Sequence, residues 1–179
     1  ITSSPRLATT VATTHTYLLS ANQDTQITSK NETPWGAEKK LHVWENTGQY
    51  WWSLFRFDLA AVPPGVSVVS ATIKLYMIGS DGSPISLHRV TTAWDEDVDT
   101  RLTLGNAYDP TPTTSFTPAP MNQYSTVNVT ALAQAWLDGV HPNDGILLKA
   151  APGGDHTIAS KESTNSSQRP VLELVVDAQ

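Results

Sequence analysis

The sequence predicts an all-β fold, an antiparallel β-sandwich with one short helix near residues 130–138. Three observations carry that expectation. Short apolar runs with a two-residue period recur along the chain, and each is bounded by Pro, Gly, Asn or Asp. Thr and Ser fill the intervals, with 12 Pro and 10 Gly supplying turns, which suits many short strands better than helices. At 179 residues, the chain is long enough for one domain with a sizeable core.

Residues 1–15 are mostly Thr, Ser and Ala and read as an N-terminal extension, with 16–179 as the sandwich domain. The alternation of Leu7, Thr9 and Val11 suits either a linker or a strand donated to a neighbour's sheet edge. From Tyr17 onward the two-residue period takes over. Leu41 and Val43 alternate with His42 and Trp44, and Phe55, Phe57 and Leu59 with Leu54, Arg56 and Asp58. Ala71, Ile73, Leu75 and Met77 oppose Thr72, Lys74 and Tyr76. Residues 105–125 carry Pro110, Pro112, Pro118 and Pro120 and read as a long irregular loop. The helix rests on Leu132, Ala135 and Trp136 at helical spacing, with Asn128 or Thr130 to cap its start and Gly139 to end it. Beyond the turn 142–145, residues 146–149 form a shorter strand, and Leu172, Leu174 and Val176 give a last one.

Composition excludes several functions. A net charge of -6 leaves no basic patch for nucleic acid. Zero Cys removes both disulfides and thiolate metal sites. No apolar run approaches the roughly 18 residues of a membrane-spanning helix. The five His residues show no zinc-ligand spacing, and no nucleophile elbow or phosphate-cradling glycine loop occurs. No catalytic residue is assigned, and a non-enzyme is expected. The Thr/Ser/Asn-rich surface and the start at Ile1 without an initiator Met are expected of a mature, secreted product, extracellular or at the cell surface. Asn31, Asn128 and Asn165 stand in glycosylation sequons.

A series of short motifs then runs in order: Asp-Thr-Gln-Ile at 24–27, Leu-His-Val at 41–43 and Ser-Leu-Phe-Arg-Phe-Asp-Leu at 53–59. Further pieces stand at 69–76, 87–94, 127–130 and 143–149, followed by Ser-Lys-Glu at 160–162 and Arg-Pro-Val-Leu at 169–172. Their order resembles the DNRLRE-domain family of extracellular modules, which is grouped with carbohydrate-binding modules found beside polysaccharide lyases. The resemblance spans residues 24–172 and implies a jelly-roll-like sandwich. It departs after Trp94-Asp-Glu, where the family's second tryptophan is missing.

Three constellations could carry function. Trp35, Trp44, Tyr50, Trp51 and Trp52 cluster in sequence and could stack on sugar rings or anchor an interface. In a strand, Trp51 and Trp52 point to opposite faces, so at most one is core on that sheet. Arg56, on a strand, needs a partner, and Glu162 is expected to supply a structural ion pair. Asp95, Glu96, Asp97 and Asp99 form the densest acidic run and offer the oxygen ligands calcium requires, with Asn22 and Asp24 as a second set. Two functions follow as expectations. One is a structural or adhesive subunit whose arm joins copies of itself into a filament or matrix. The alternative is a carbohydrate-binding module that recognises extracellular polysaccharide through exposed tryptophans.

Overall fold

The computed structural model describes residues 13–177. Ten strands lie in chain order: β1 (Thr14–Thr28), β2 (Lys40–Asn46), β3 (Gln49–Phe57), β4 (Val68–Ser80), β5 (Ile85–Arg89), β6 (Thr114–Phe116), β7 (Gln123–Asn128), β8 (Ile146–Ala150), β9 (Asp155–Ala159) and β10 (Val171–Asp177). Helix α1 (Arg101–Leu104) lies between β5 and β6, and α2 (Thr130–Leu137) between β7 and β8. The strand pairings are antiparallel, and the architecture is the expected all-β sandwich.

β1 belongs to both sides of the sandwich. Its first half pairs with β10, from Thr14 opposite Asp177 to Ser20 opposite Val171. After a bulge between Ala21 and Gln23, its second half pairs with β3, ending at Thr28 opposite Trp51. A bulge bends a strand and sharpens its twist, which lets one strand turn a corner. At the other corner β9 joins β4 to β2. The order β1–β10–β4–β9–β2–β3 therefore closes on β1 in a circuit of six strands. β7 adds to β4, and β8, β5 and β6 extend from β3.

The main core follows the alternation read from the sequence. Ala71, Ile73, Leu75 and Met77 are fully buried, while Thr72, Lys74 and Tyr76 keep partial contact with solvent. Leu172 and Leu174 on β10 stand beside Ile73 and Ala71 in the pairing, and Val176, Leu41, Val43, Phe55 and Phe57 belong to the same core. Each such side chain contributes about 1.5–3 kcal/mol relative to leaving it exposed.

β3 is apolar on both faces, and the structure shows why. Ile27, Trp52, Leu54 and Leu147 turn away from the main core into a second cluster with Val90, Trp94 and Leu104. The segment after β5 covers that face, and Trp94 Nε1 donates to the Asp144 carbonyl at 2.7 Å. Trp94 and Trp136 are thus core residues.

Two sequence expectations change. Residues 105–125 are not wholly irregular: β6 and the first residues of β7 lie within them. Backbone pairing to β5 and β4 satisfies these short polar stretches, which carry too little apolar content to announce themselves. Helix α2 buries Leu132, Ala133 and Trp136, with Ala135 only half-buried. Asn128 Oδ1 accepts from Thr130 N at 3.0 Å at its start, and Gly139, at φ 69°, follows its end. Helix α1 was not read from the sequence at all.

Of the extension, Leu7, Thr9 and Val11 lie outside the described residues. Thr14 and His15, placed at its end, are already paired with β10.

Candidate functional site

The β2–β3 hairpin and β9 build an aromatic face. Alternation on β2 sends Leu41 and Val43 inward and leaves His42 and Trp44 outward. Trp44 stands directly opposite Trp51 on β3 and opposite Asp155 on β9. His42 lies 5.8 Å from the Trp51 ring, and Trp35 meets Trp51 edge-on at 5.3 Å. Lys30 Nζ sits 5.2 Å from the Trp44 ring centroid, a cation–π distance.

Lys30, His42, Trp44, Trp51 and Asp155 together line an open groove of about 210 Å³. Enclosing pockets for drug-sized ligands run from roughly 300 to 1,000 Å³, so this groove cradles the side of a ligand rather than engulfing it. Two half-exposed indoles supply apolar faces, and a lysine, a histidine and an aspartate supply hydrogen bonds around them. Burial, then the Lys40 charge, holds the His42 imidazole below the usual histidine value, so it is neutral at pH 7.

The other members of the tryptophan cluster have different work. Trp52 is buried, stacks on Tyr50 at 3.8 Å and donates from Nε1 to Glu45 Oε2 at 3.2 Å. Lys149 Nζ lies 4.3 Å over its ring. These contacts tie Trp52 and Tyr50 to the second core cluster, leaving Trp51 as the half-exposed member of the Trp51–Trp52 pair.

Arg56 and Glu162 do not pair. Among the described residues Arg56 forms no ion pair; it borders a shallow depression with Asn22, Asp58 and Asn143. The carboxylate of Glu162 is taken by its sequence neighbour Lys161. Adjacency along the chain brings that ammonium to Glu162 without the long-range register that Arg56 would need.

The acidic run divides. Asp95, Asp97 and Asp99 form a turn in which Asp95 N donates to Asp99 Oδ2 at 2.6 Å and Asp97 N to Asp95 Oδ1 at 2.9 Å. Glu96 turns the other way. Its Oε2 accepts from Asp24 N at 2.8 Å, and its Oε1 lies 2.8 Å from Lys161 Nζ. Asp24 is fully buried, and its Oδ2 accepts from Lys161 N at 2.6 Å. Burial, reinforced by Glu162 against the backbone bond from Lys161, pushes its carboxyl up to about 8. Burial works against the Lys161 charge, but Glu162 and Glu96 outweigh it and hold the ammonium protonated. The sequence offered Asp24 and Glu96 as members of two separate sets; the fold brings them together and adds Glu162.

His156 is buried opposite Ser80 in the β4–β9 pairing, with Nε2 3.0 Å from Ser83 Oγ and 3.5 Å from Asp81. Burial lowers its pKa below 6.5, with Asp81 and Asp155 opposing. The unfolded chain then takes up the proton first, so this stabilisation is present above about pH 6.5 and lost as pH falls. The expected result is a smaller fall in Tm between pH 7 and pH 5 for His156→Asn than for the parent chain. Thermal melts at the two pH values measure it, and the difference cancels the contribution of Asp24, which has the opposite sign.

An open groove with Trp44 and Trp51 in its lining has the form of a surface binding site. Residues 15–175 match the model of Carbohydrate-binding module family 96, and the chain belongs to that family of non-catalytic modules. No curated protein matches the chain.

Proposed function

We propose that this domain binds an extracellular polysaccharide in the groove between Lys30 and Asp155, with Trp44 and Trp51 as its stacking platform. The observation that carries the reading is the Trp44–Trp51 cross-strand pair, half-exposed on an otherwise well-packed sandwich. Indoles left partly in water present apolar area that a pyranose ring's C–H face can cover, and the polar rim orients its hydroxyls. Family membership and the resemblance to DNRLRE domains favour the same reading.

Strand donation by Leu7, Thr9 and Val11 into copies of the same chain rests on residues outside the described range, and no contact favours it over the sugar reading. Affinity electrophoresis through gels containing neutral or acidic polysaccharides tests the proposal. Retardation by at least one glycan, reduced by Trp44→Ala, is the expected result. Equal mobility of the two proteins in every gel overturns it.

A further inference from the structure

We propose that Asp24, Glu96 and Glu162 form a binding site for a hard divalent cation, with calcium preferred. One ligand oxygen from each lies within 4.8 Å of the other two. One Ca²⁺, with Ca–O distances of roughly 2.3–2.6 Å, bridges ligands up to about 5 Å apart.

The case does not rest on three acids meeting. Asp24 is fully buried at 0% exposure, and its Oδ1 has no hydrogen-bond partner. Glu162 Oε2 is likewise buried without a partner. Their other oxygens are spent on the protein: Asp24 Oδ2 on Lys161 N, and Glu162 Oε1 on Lys161 Nζ. Glu96 gives Oε1 to Lys161 Nζ, while Oε2 accepts from Asp24 N and keeps a lone pair. Unpartnered buried carboxylate oxygens are expensive; here either a proton shared between Asp24 and Glu162 or a cation relieves the two, and the cation also reaches Glu96.

Charge gives the same answer. A bound cation displaces the proton that burial keeps on Asp24; three carboxylates against the Lys161 ammonium then leave two negative charges, which a divalent ion neutralises and a monovalent ion does not. An all-oxygen donor set selects a hard ion over zinc or copper. Carboxylates drawn from three separate segments suit the adaptable shell of calcium better than the compact octahedron of magnesium.

The ion would tie β1, the turn after Trp94 and the segment after β9 at one point. It would also stiffen the approach to the groove. A Cβ added to Gly36 would stand 2.6 Å from the Glu96 carbonyl oxygen, so the turn holding Trp35 is seated directly on Glu96. The site is independent of the sugar-binding reading, and its test needs no glycan.

The experiment is thermal melting and calorimetric titration of the full chain after chelator treatment, with CaCl₂ or MgCl₂ at constant ionic strength. Millimolar calcium is expected to raise Tm by about 3 °C or more, with one ion per chain and a weaker response to magnesium. Asp24→Asn and Glu162→Gln should abolish the shift, whereas Asp97→Asn, in the exposed turn, should keep it. Glu162 is only half-buried, so its variant folds and decides the matter alone if Asp24→Asn does not. No calcium-dependent shift in the parent chain, or an equal shift in Glu162→Gln, overturns the site.

Discussion

Trp51→Ala should weaken polysaccharide binding about 30-fold, measured by titration calorimetry with whichever glycan retards the parent protein. The figure corresponds to about 2 kcal/mol, the scale of a tryptophan anchor at the centre of an interface. Trp51 is expected to exceed Trp44 in effect because it also holds its neighbours: Trp35 packs edge-on against it, and His42 stands at its rim. Removing it therefore loses a stacking face and loosens two further members of the groove. Trp52→Ala separates this from simple damage to the fold. That residue is buried in the second core cluster, so its loss should lower stability by about 3–5 kcal/mol. If Trp51→Ala instead binds as well as the parent, the groove is not the site.

Gly145→Ala should lower stability by about 3 kcal/mol, seen as a Tm reduced by roughly 10 °C. Gly145 adopts φ 85°, where an added Cβ is strained by about 1–2 kcal/mol. The added carbon would also stand 2.3 Å from the Phe55 carbonyl oxygen and 3.1 Å from Arg56 Cα. Both are backbone atoms of a central strand and cannot swing aside. The turn is pinned as well by Asn143 Nδ2, which donates to the Phe57 carbonyl at 2.7 Å, and by Val90 N, which donates to the Gly145 carbonyl at 3.0 Å. Gly153→Ala is the control: φ is 88°, yet nothing lies within 4 Å of its added Cβ. It should show the strain alone, about 1–2 kcal/mol. Equal destabilisation of the two variants would mean that the β3 backbone yields to the added carbon.

These two tests mark what the linear sequence reveals. Alternation exposed the strands because a half-buried sheet imposes a two-residue period, as at Ala71, Ile73, Leu75 and Met77. The period also sorted Trp51 from Trp52, placing them on opposite faces before any fold was known. It could not say which face stayed open, because that depends on a segment some forty residues later folding over Trp52. The acidic cluster was hidden for a similar reason. Nothing in Asp95, Glu96, Asp97 and Asp99 distinguishes the one that turns inward. Glu96 is selected by a hydrogen bond from Asp24, 72 positions away. Likewise the proposed Arg56–Glu162 pair failed because a local partner, Lys161, was nearer than the distant one.

The pairing of Thr14 with Asp177 has a mechanical consequence. The described chain enters and leaves the sandwich on neighbouring antiparallel strands at one rim. Tension applied through the two ends would open β1 from β10 like a zipper, one bond pair after another, rather than load all the bonds together in shear. A longer polypeptide carrying this unit would pass it as a pendant hung from a single point, leaving the domain body free to swivel beside the line of pull.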